Sequence, residues 1–283
     1  GSVVDDKNEF DLLLLGDCMG WAGFRPVVFE KLSGLNVFNM AVDVEQTYLM
    51  TYVLLSRYLK NCRTPPKLVL FQVSAHSLLA QELSMNRKRL RSAVLPYFRV
   101  DSDFLDELLP SVQRDYAHYR VLTIVPSLKK QFFFYNRPPW YVTAWSSSRA
   151  KYDHFMDYHV SEKAFFNEDL DPLKKPVSLV TSIPKEMQSF RVCEGNLKYF
   201  HKIMDLLENH NTAVVVCSSP IREDEAVLWD ACDLENRLNE LIKVNIHMHK
   251  NVLGYWNMWR SVTNIECYAD HFHLNLSGAN LYT

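Results

Sequence analysis

Three short apolar runs limit what this chain can fold into more than any other feature. Leu12-Leu13-Leu14-Leu15 follows Asp11 and is closed by Gly16. Leu68-Val69-Leu70-Phe71-Gln72-Val73 and Thr212-Ala213-Val214-Val215-Val216-Cys217 are of the same kind, the latter closed by Ser218-Ser219-Pro220. A strand with one face in water alternates apolar and polar residues, and these runs do not. They read as strands covered on both faces, the habit of parallel sheets held between helices. Asn36-Val37-Phe38-Asn39-Met40-Ala41 is predicted as a strand that comes second along the chain, and Lys243-Val244-Asn245-Ile246-His247 as a fifth. Helical spacing fills the intervals. Apolar residues stand at 44, 48, 55 and 59 between Val44 and Leu59, Leu197, Phe200, Met204 and Leu207 form a stripe, and a further helix is predicted from about 225 to 242. Pro65-Pro66 ends the connection after the first of these helices. The alternation predicts an α/β fold with a central parallel sheet and helices on both faces.

The chain has 283 residues and is 48% hydrophobic, enough for a single large core. We read residues 1–283 as one α/β domain interrupted by a mainly helical insertion at about 80–190. There the strand–helix rhythm stops. The interval opens on the basic cluster Arg87, Lys88, Arg89 and Arg91, continues through a predicted helix near 111–125, and passes into an aromatic, Pro-rich run from Gln131 to Tyr141. A net charge of −2 speaks against a nucleic-acid surface. The six cysteines (18, 62, 193, 217, 232 and 267) include no CxxC pair, so neither a disulfide framework nor a zinc ribbon is expected. His247-Met248-His249 has strand spacing, which sends its imidazoles to opposite faces and argues against a metal there. No stretch reaches the roughly 18–20 apolar residues that span a bilayer. Gly1-Ser2 reads as the remnant of a protease-cleavage site, and no signal peptide follows it.

Two short motifs carry the chemistry. Gly16-Asp17-Cys18 lies just past the carboxyl end of the first strand, where open α/β sheets build their sites. If a helix begins there, its amide groups favour a thiolate or an oxyanion. Asp270-His271-Phe272-His273 lies more than 250 residues further on. An Asp and a His three apart on one loop can sit side by side, the carboxylate orienting a base that serves a nucleophile. Each motif alone has an ordinary structural explanation, a buried cysteine after a strand or a polar surface turn.

Together they resemble the SGNH (GDSL-type) hydrolase superfamily. That family carries Gly-Asp-Ser after its first strand and Asp-x-x-His near its C-terminus. Here Cys18 stands at the serine position, and Asp270 and His273 match the second motif. The continuation Leu274-Asn275-Leu276-Ser277-Gly278-Ala279 is similar to the His-Leu-Asn-x-x-Gly-Ala ending of the membrane-associated branch, which includes relatives of DltD and the alginate O-acetylation proteins. The resemblance implies a three-layer α/β/α fold with strand order 2-1-3-4-5. It also implies a Cys18–His273–Asp270 triad without cofactor or metal, and an oxyanion hole. The family's glycine after the second strand is absent from Asn39-Met40-Ala41-Val42-Asp43-Val44, so the amides of Asp43 or Val44 take its role beside that of Cys18. His76, in Ser74-Ala75-His76-Ser77, replaces the family's asparagine donor. Asp17, Trp21 and Asn39 are the expected substrate contacts.

A cysteine at the serine position is a natural thiol nucleophile, an engineered replacement, or the mark of a member that has lost catalysis. The first two imply an O-acyl esterase or O-acyltransferase acting on an ester of a cell-envelope glycan or lipid. The third implies a non-catalytic envelope protein that binds or assembles with partners. Either way, the resemblance implies an extracytoplasmic protein held at a membrane by a segment outside this sequence.

Overall fold

The computed structural model describes residues 9–41, 47–79 and 179–283, which all fall in one compact unit. Most of the expected insertion, with its basic cluster, its helix near 111–125 and its aromatic run, lies outside the described residues, as do Asp43 and Val44.

Five parallel strands form one sheet in the order β2-β1-β3-β4-β5. They are β1 (Leu12–Leu15), β2 (Val37–Asn39), β3 (Leu68–Val73), β4 (Ala213–Ser218) and β5 (Val252–Trp256). The parallel sheet is the one predicted from the alternation of runs, and its order is the one implied by the resemblance. The register aligns Leu12 with Val37 and Leu68, and Leu68 with Ala213. All five carboxyl ends therefore open on one edge.

Side-chain alternation sorts the apolar strand residues between two helical layers. Leu12, Leu14, Leu70, Val215 and Cys217 face one side. They pack with Phe24, which follows α1 (Cys18–Gly23), with Phe29 of α2 (Pro26–Ser33), and with Ala279 and Tyr282 of the last helix. On the other side Phe71 is held between Tyr48 of α3 (Thr47–Asn61) and Phe200, at centroid distances of 5.2 and 5.6 Å. A fully buried phenylalanine of this kind contributes about 1.5–3 kcal/mol. After β3 comes α4 (Ala75–Leu79), then, beyond residue 178, α5 (Lys185–Gln188) and α6 (Glu194–Asn209). Phe200 belongs to α6, where it, Met204 and Leu207 of the predicted stripe are buried beside Tyr199 and Ile203, and Leu197 is half-buried at the margin.

Beyond β4 the structure departs from expectation in two places. The single helix predicted at 225–242 is two, α7 (Glu223–Asp230) and α8 (Leu234–Ile246), separated at Asp233, whose φ of 52° breaks the helical path. The strand predicted at Lys243–His247 is the last turn of α8 and its cap. Five residues alternating in polarity fit a period of two. However, Leu234, Leu238, Ile242 and Asn245 are buried at steps of three and four, and this longer pattern decides the local structure. The fifth strand is instead Val252–Trp256, centred on Gly254. Its apolar signal is weak because it lies at the sheet edge, with Leu253 and Trp256 exposed. His247-Met248-His249 is accordingly not a strand.

Candidate functional site

The junction after β1 is built around a close approach. A side chain at Gly16 would place its first carbon 2.4 Å from Gln72 Oε1, an oxygen that also accepts the Asp17 amide at 3.3 Å. A larger residue there would force the Gln72 side chain out of its place. Asp17 then caps α1 by accepting the Met19 amide at 3.0 Å, and Cys18 is the first residue of that helix. The other carboxylate oxygen of Asp17 accepts the hydroxyls of Ser74 and of Ser77, the latter at 2.6 Å. Asp17 is 5% exposed, and its charge is spent inside the protein, joining the ends of β1 and β3. Asn39 is likewise turned inward. Its Nδ2 lies within 3.2–3.4 Å of the carbonyls of Gly20, Trp21 and Phe24, and its Oδ1 accepts the Ala41 amide. It thus serves the carbonyl end of a six-residue helix, where the Phe24 amide also donates to the Gly20 carbonyl at 3.0 Å. Trp21 is buried in the same helix. The three residues expected to meet substrate are therefore buried, while Cys18 itself is partly exposed.

The second motif forms a closed loop. Tyr268 and Leu274 pair as an antiparallel bridge, and the Ala269 amide donates to the His273 carbonyl at 2.9 Å. Asp270 occupies the tip. Its Oδ1 accepts the amides of Phe272 and His273, both at 2.8 Å, and its Oδ2 lies 2.8 Å from His273 Nδ1. Partial burial works against the charge of this carboxylate. The His273 hydrogen bond, the charge of the imidazole and the two amides prevail, and its pKa is pulled down to about 2. An ionised carboxylate can only accept. His273 Nδ1 must therefore be the donor, which leaves Nε2 as the basic nitrogen of the neutral ring.

The last helix, α9 (Leu276–Tyr282), fixes this loop to the rest of the site. Asn275 caps it by accepting the Gly278 amide at 3.1 Å and donates from Nδ2 to the Glu266 carbonyl. Tyr282 stacks on Phe24 at 5.3 Å and donates its hydroxyl to the Ser218 carbonyl at the end of β4. Thr283 Oγ1 accepts the Arg25 amide and donates to the Gly23 carbonyl. At the tip, Phe272 meets the imidazole of His76, the second residue of α4. Burial pushes the His76 pKa below its ordinary value. The charge of Asp17 opposes that shift and the charge of His273 adds to it. Its Nε2 is buried, with no hydrogen-bond partner among the described residues. A neutral imidazole with an unsatisfied ring nitrogen is suited to meeting a ligand oxygen.

Cys18 thus follows β1 and His76 follows β3 at the carboxyl edge, and the contact of Phe272 with His76 brings the Asp270–His273 loop against α4. Cys62 and Cys232 share the partial exposure of Cys18, and the other three thiols do not. Cys193, Cys217 and Cys267 are buried, and desolvation raises the Cys217 pKa to about 12. The six cysteines form no disulfide, and among the described residues no group of three or more His, Cys, Asp and Glu side chains could hold a metal ion. Sequence reading missed Arg222, a fully buried arginine four residues past β4 that reaches the Asp270 loop. Only its place at the carboxyl edge of a strand pointed to it. His271 is half-buried, with its Nδ1 3.4 Å from that guanidinium.

No family model matches the chain, and no curated protein matches it in sequence. One solved structure, that of a candidate acylhydrolase from Bacteroides fragilis, is similar over 98% of this chain and 84% of its own, with 10% identity and a TM-score of 0.40.

Proposed function

We propose that this protein is an acyl-ester hydrolase or acyltransferase that works through a thioester on Cys18. The hydrogen-bonded Asp270–His273 pair, held at the same sheet edge as Cys18 and with a defined basic nitrogen, carries the reading. In this scheme the Cys18 thiol gives its proton to His273 Nε2 as the sulfur attacks the ester carbonyl. The oxyanion is met by the Cys18 amide and by His76. The alcohol leaves with the proton from His273, and the acyl group remains on sulfur. Water or an acceptor hydroxyl, deprotonated by His273, then takes the acyl group and restores the thiol. Asp270 orients the imidazole and balances its charge.

The substrate class we assign is an acylated glycan or lipid of the cell envelope, acted on outside the cytoplasm. That assignment rests on the resemblance of the His273–Ala279 ending to the membrane-associated SGNH branch. Among the described residues no helix is long and apolar enough to cross a membrane.

The test is differential thiol labelling joined to ester turnover. Cys18 should react with iodoacetamide at least about tenfold faster than the half-buried Cys62 and Cys232, and His273→Ala should slow it to their rate. Short aryl esters should be hydrolysed by the wild type and not by Cys18→Ala. Uniformly slow labelling with no turnover would assign the fold a binding or assembly role instead.

A further inference from the structure

Arg222 is among the largest fully buried side chains of the described residues, and it lies at the carboxyl edge that the proposed chemistry uses. A buried guanidinium is costly unless each face of its fork is met, and here it is met from two directions. Nε and Nη2 pair with both carboxylate oxygens of Asp224, at 3.0 and 2.8 Å. Nη1 donates to the Asp270 carbonyl at 3.2 Å and lies 3.4 Å from His271 Nδ1. Asp224 is itself fixed. Its carboxylate accepts the amides of Val180 at 2.6 Å and Glu225 at 3.1 Å. Desolvation opposes its charge, yet the Val180 amide and the guanidinium together hold its carboxyl below the usual range.

The chain of contacts runs from the end of β4, through Arg222, to the backbone of the residue whose carboxylate orients His273. We propose that Arg222 is a positioning residue that sets the Asp270–His273 pair, acting through the Asp270 carbonyl, with Asp224 holding the guanidinium in place. Geometry supports a positioning role over mere packing. The Asp270 peptide is grasped on its carbonyl by Arg222, while its side chain closes on the amides of Phe272 and His273. A rotation of that peptide would move the carboxylate away from Nδ1. The kinetic consequence rests on the acyl chemistry proposed above, but the geometric role does not.

The experiment reads the His273 Nδ1–H directly, as a downfield proton resonance of the full chain, assigned by its loss in His273→Ala. In Arg222→Lys, which keeps a buried cation but loses the fork, exchange of this proton with water should be at least about tenfold faster, a change of about 1.4 kcal/mol. Asp224→Asn, which frees the guanidinium without removing it, should move exchange in the same direction and covers the case that Arg222→Lys does not fold. Aryl-ester turnover should show kcat reduced about tenfold with KM within a factor of two. An Nδ1–H that exchanges at the wild-type rate in a folded Arg222→Lys or Asp224→Asn protein overturns the proposal, whatever the esterase activity. Faster exchange in a protein whose wild type cleaves no ester upholds the positioning role and removes the hydrolase reading.

Discussion

The ring of Phe272 meets the ring of His76 edge-on, with centroids 4.5 Å apart and planes at 76°. One ring belongs to the loop that carries Asp270 and His273, the other to the first turn after β3. Their contact is where the two halves of the proposed site touch. Phe272 is itself 37% exposed, and the imidazole it meets is half-buried.

If His76 meets the developing oxyanion, its loss should be felt in turnover and not in binding. His76→Ala should lower kcat about 100-fold with little change in KM. His76→Gln, which keeps an N–H donor, should recover part of the loss. Steady-state kinetics on a short aryl ester distinguish this from a packing defect, which would lower the unfolding midpoint of both variants alike.

Asp270→Asn tests both stability and catalysis. The folded-state pKa of Asp270, about 2, lies below its ordinary value of 3.8. Its stabilisation is thus present above pH 4 and is lost as pH falls towards 2. The group is half-exposed, so after solvent screening this amounts to about 1 kcal/mol. Denaturant titrations should show the asparagine variant weaker than wild type at pH 7 and level with it near pH 2. Turnover should fall by about 100-fold or more, because an amide can donate to Nδ1 and stabilise the wrong tautomer.

Glu225 titrates in the opposite sense. Burial raises its pKa from 4.5 to about 7, overriding the hydrogen bond from Trp229 Nε1 at 3.0 Å. The folded state therefore favours the protonated acid. Stability should be full below pH 4.5 and decline as pH rises through 7. Glu225→Gln keeps an acceptor for Trp229 without the charge. It should be more stable than wild type by about 2 kcal/mol at pH 8 and no more stable at pH 4, as read by chemical denaturation.

Gly278→Ala should reverse the usual effect of alanine in a helix. Glycine to alanine within a helix ordinarily stabilises by about 0.5–1 kcal/mol. Here the new carbon would lie 2.1 Å from the Cys267 carbonyl oxygen and 2.9 Å from Leu274. The backbone oxygen cannot yield, so α9 must shift off the loop that it anchors. We expect a net loss of about 2 kcal/mol in unfolding free energy and a larger proportional loss of ester turnover.

The sheet was legible in the sequence wherever burial on both faces produced an unbroken apolar run, as at Leu12–Leu15 and Val214–Cys217. It was not legible at Val252–Trp256, because an edge strand buries too little to leave that mark, while Lys243–His247 imitated one. The motifs identified Cys18, Asp270 and His273 because acid–base chemistry restricts residue type. They could not say which polar neighbours face outward. Asp17 and Asn39 are polar and lie at strand ends, as substrate contacts would, but a short helix with unmet backbone groups claims both. Arg222 was hidden for the converse reason: one arginine after a strand carries no pattern until its partners, 2 and 48 positions away, are seen.

The stacking of Tyr282 on Phe24 joins residues 258 positions apart, as does the bond from the Arg25 amide to Thr283. Contacts of such separation form late in folding, after the intervening chain has collapsed, and they are among the first released when a protein opens locally. Detachment of the last helix would carry the Asp270–His273 loop away while leaving the five-stranded sheet intact. Thermal inactivation should then precede loss of secondary structure, and the interval between the two would measure how firmly the final helix is moored.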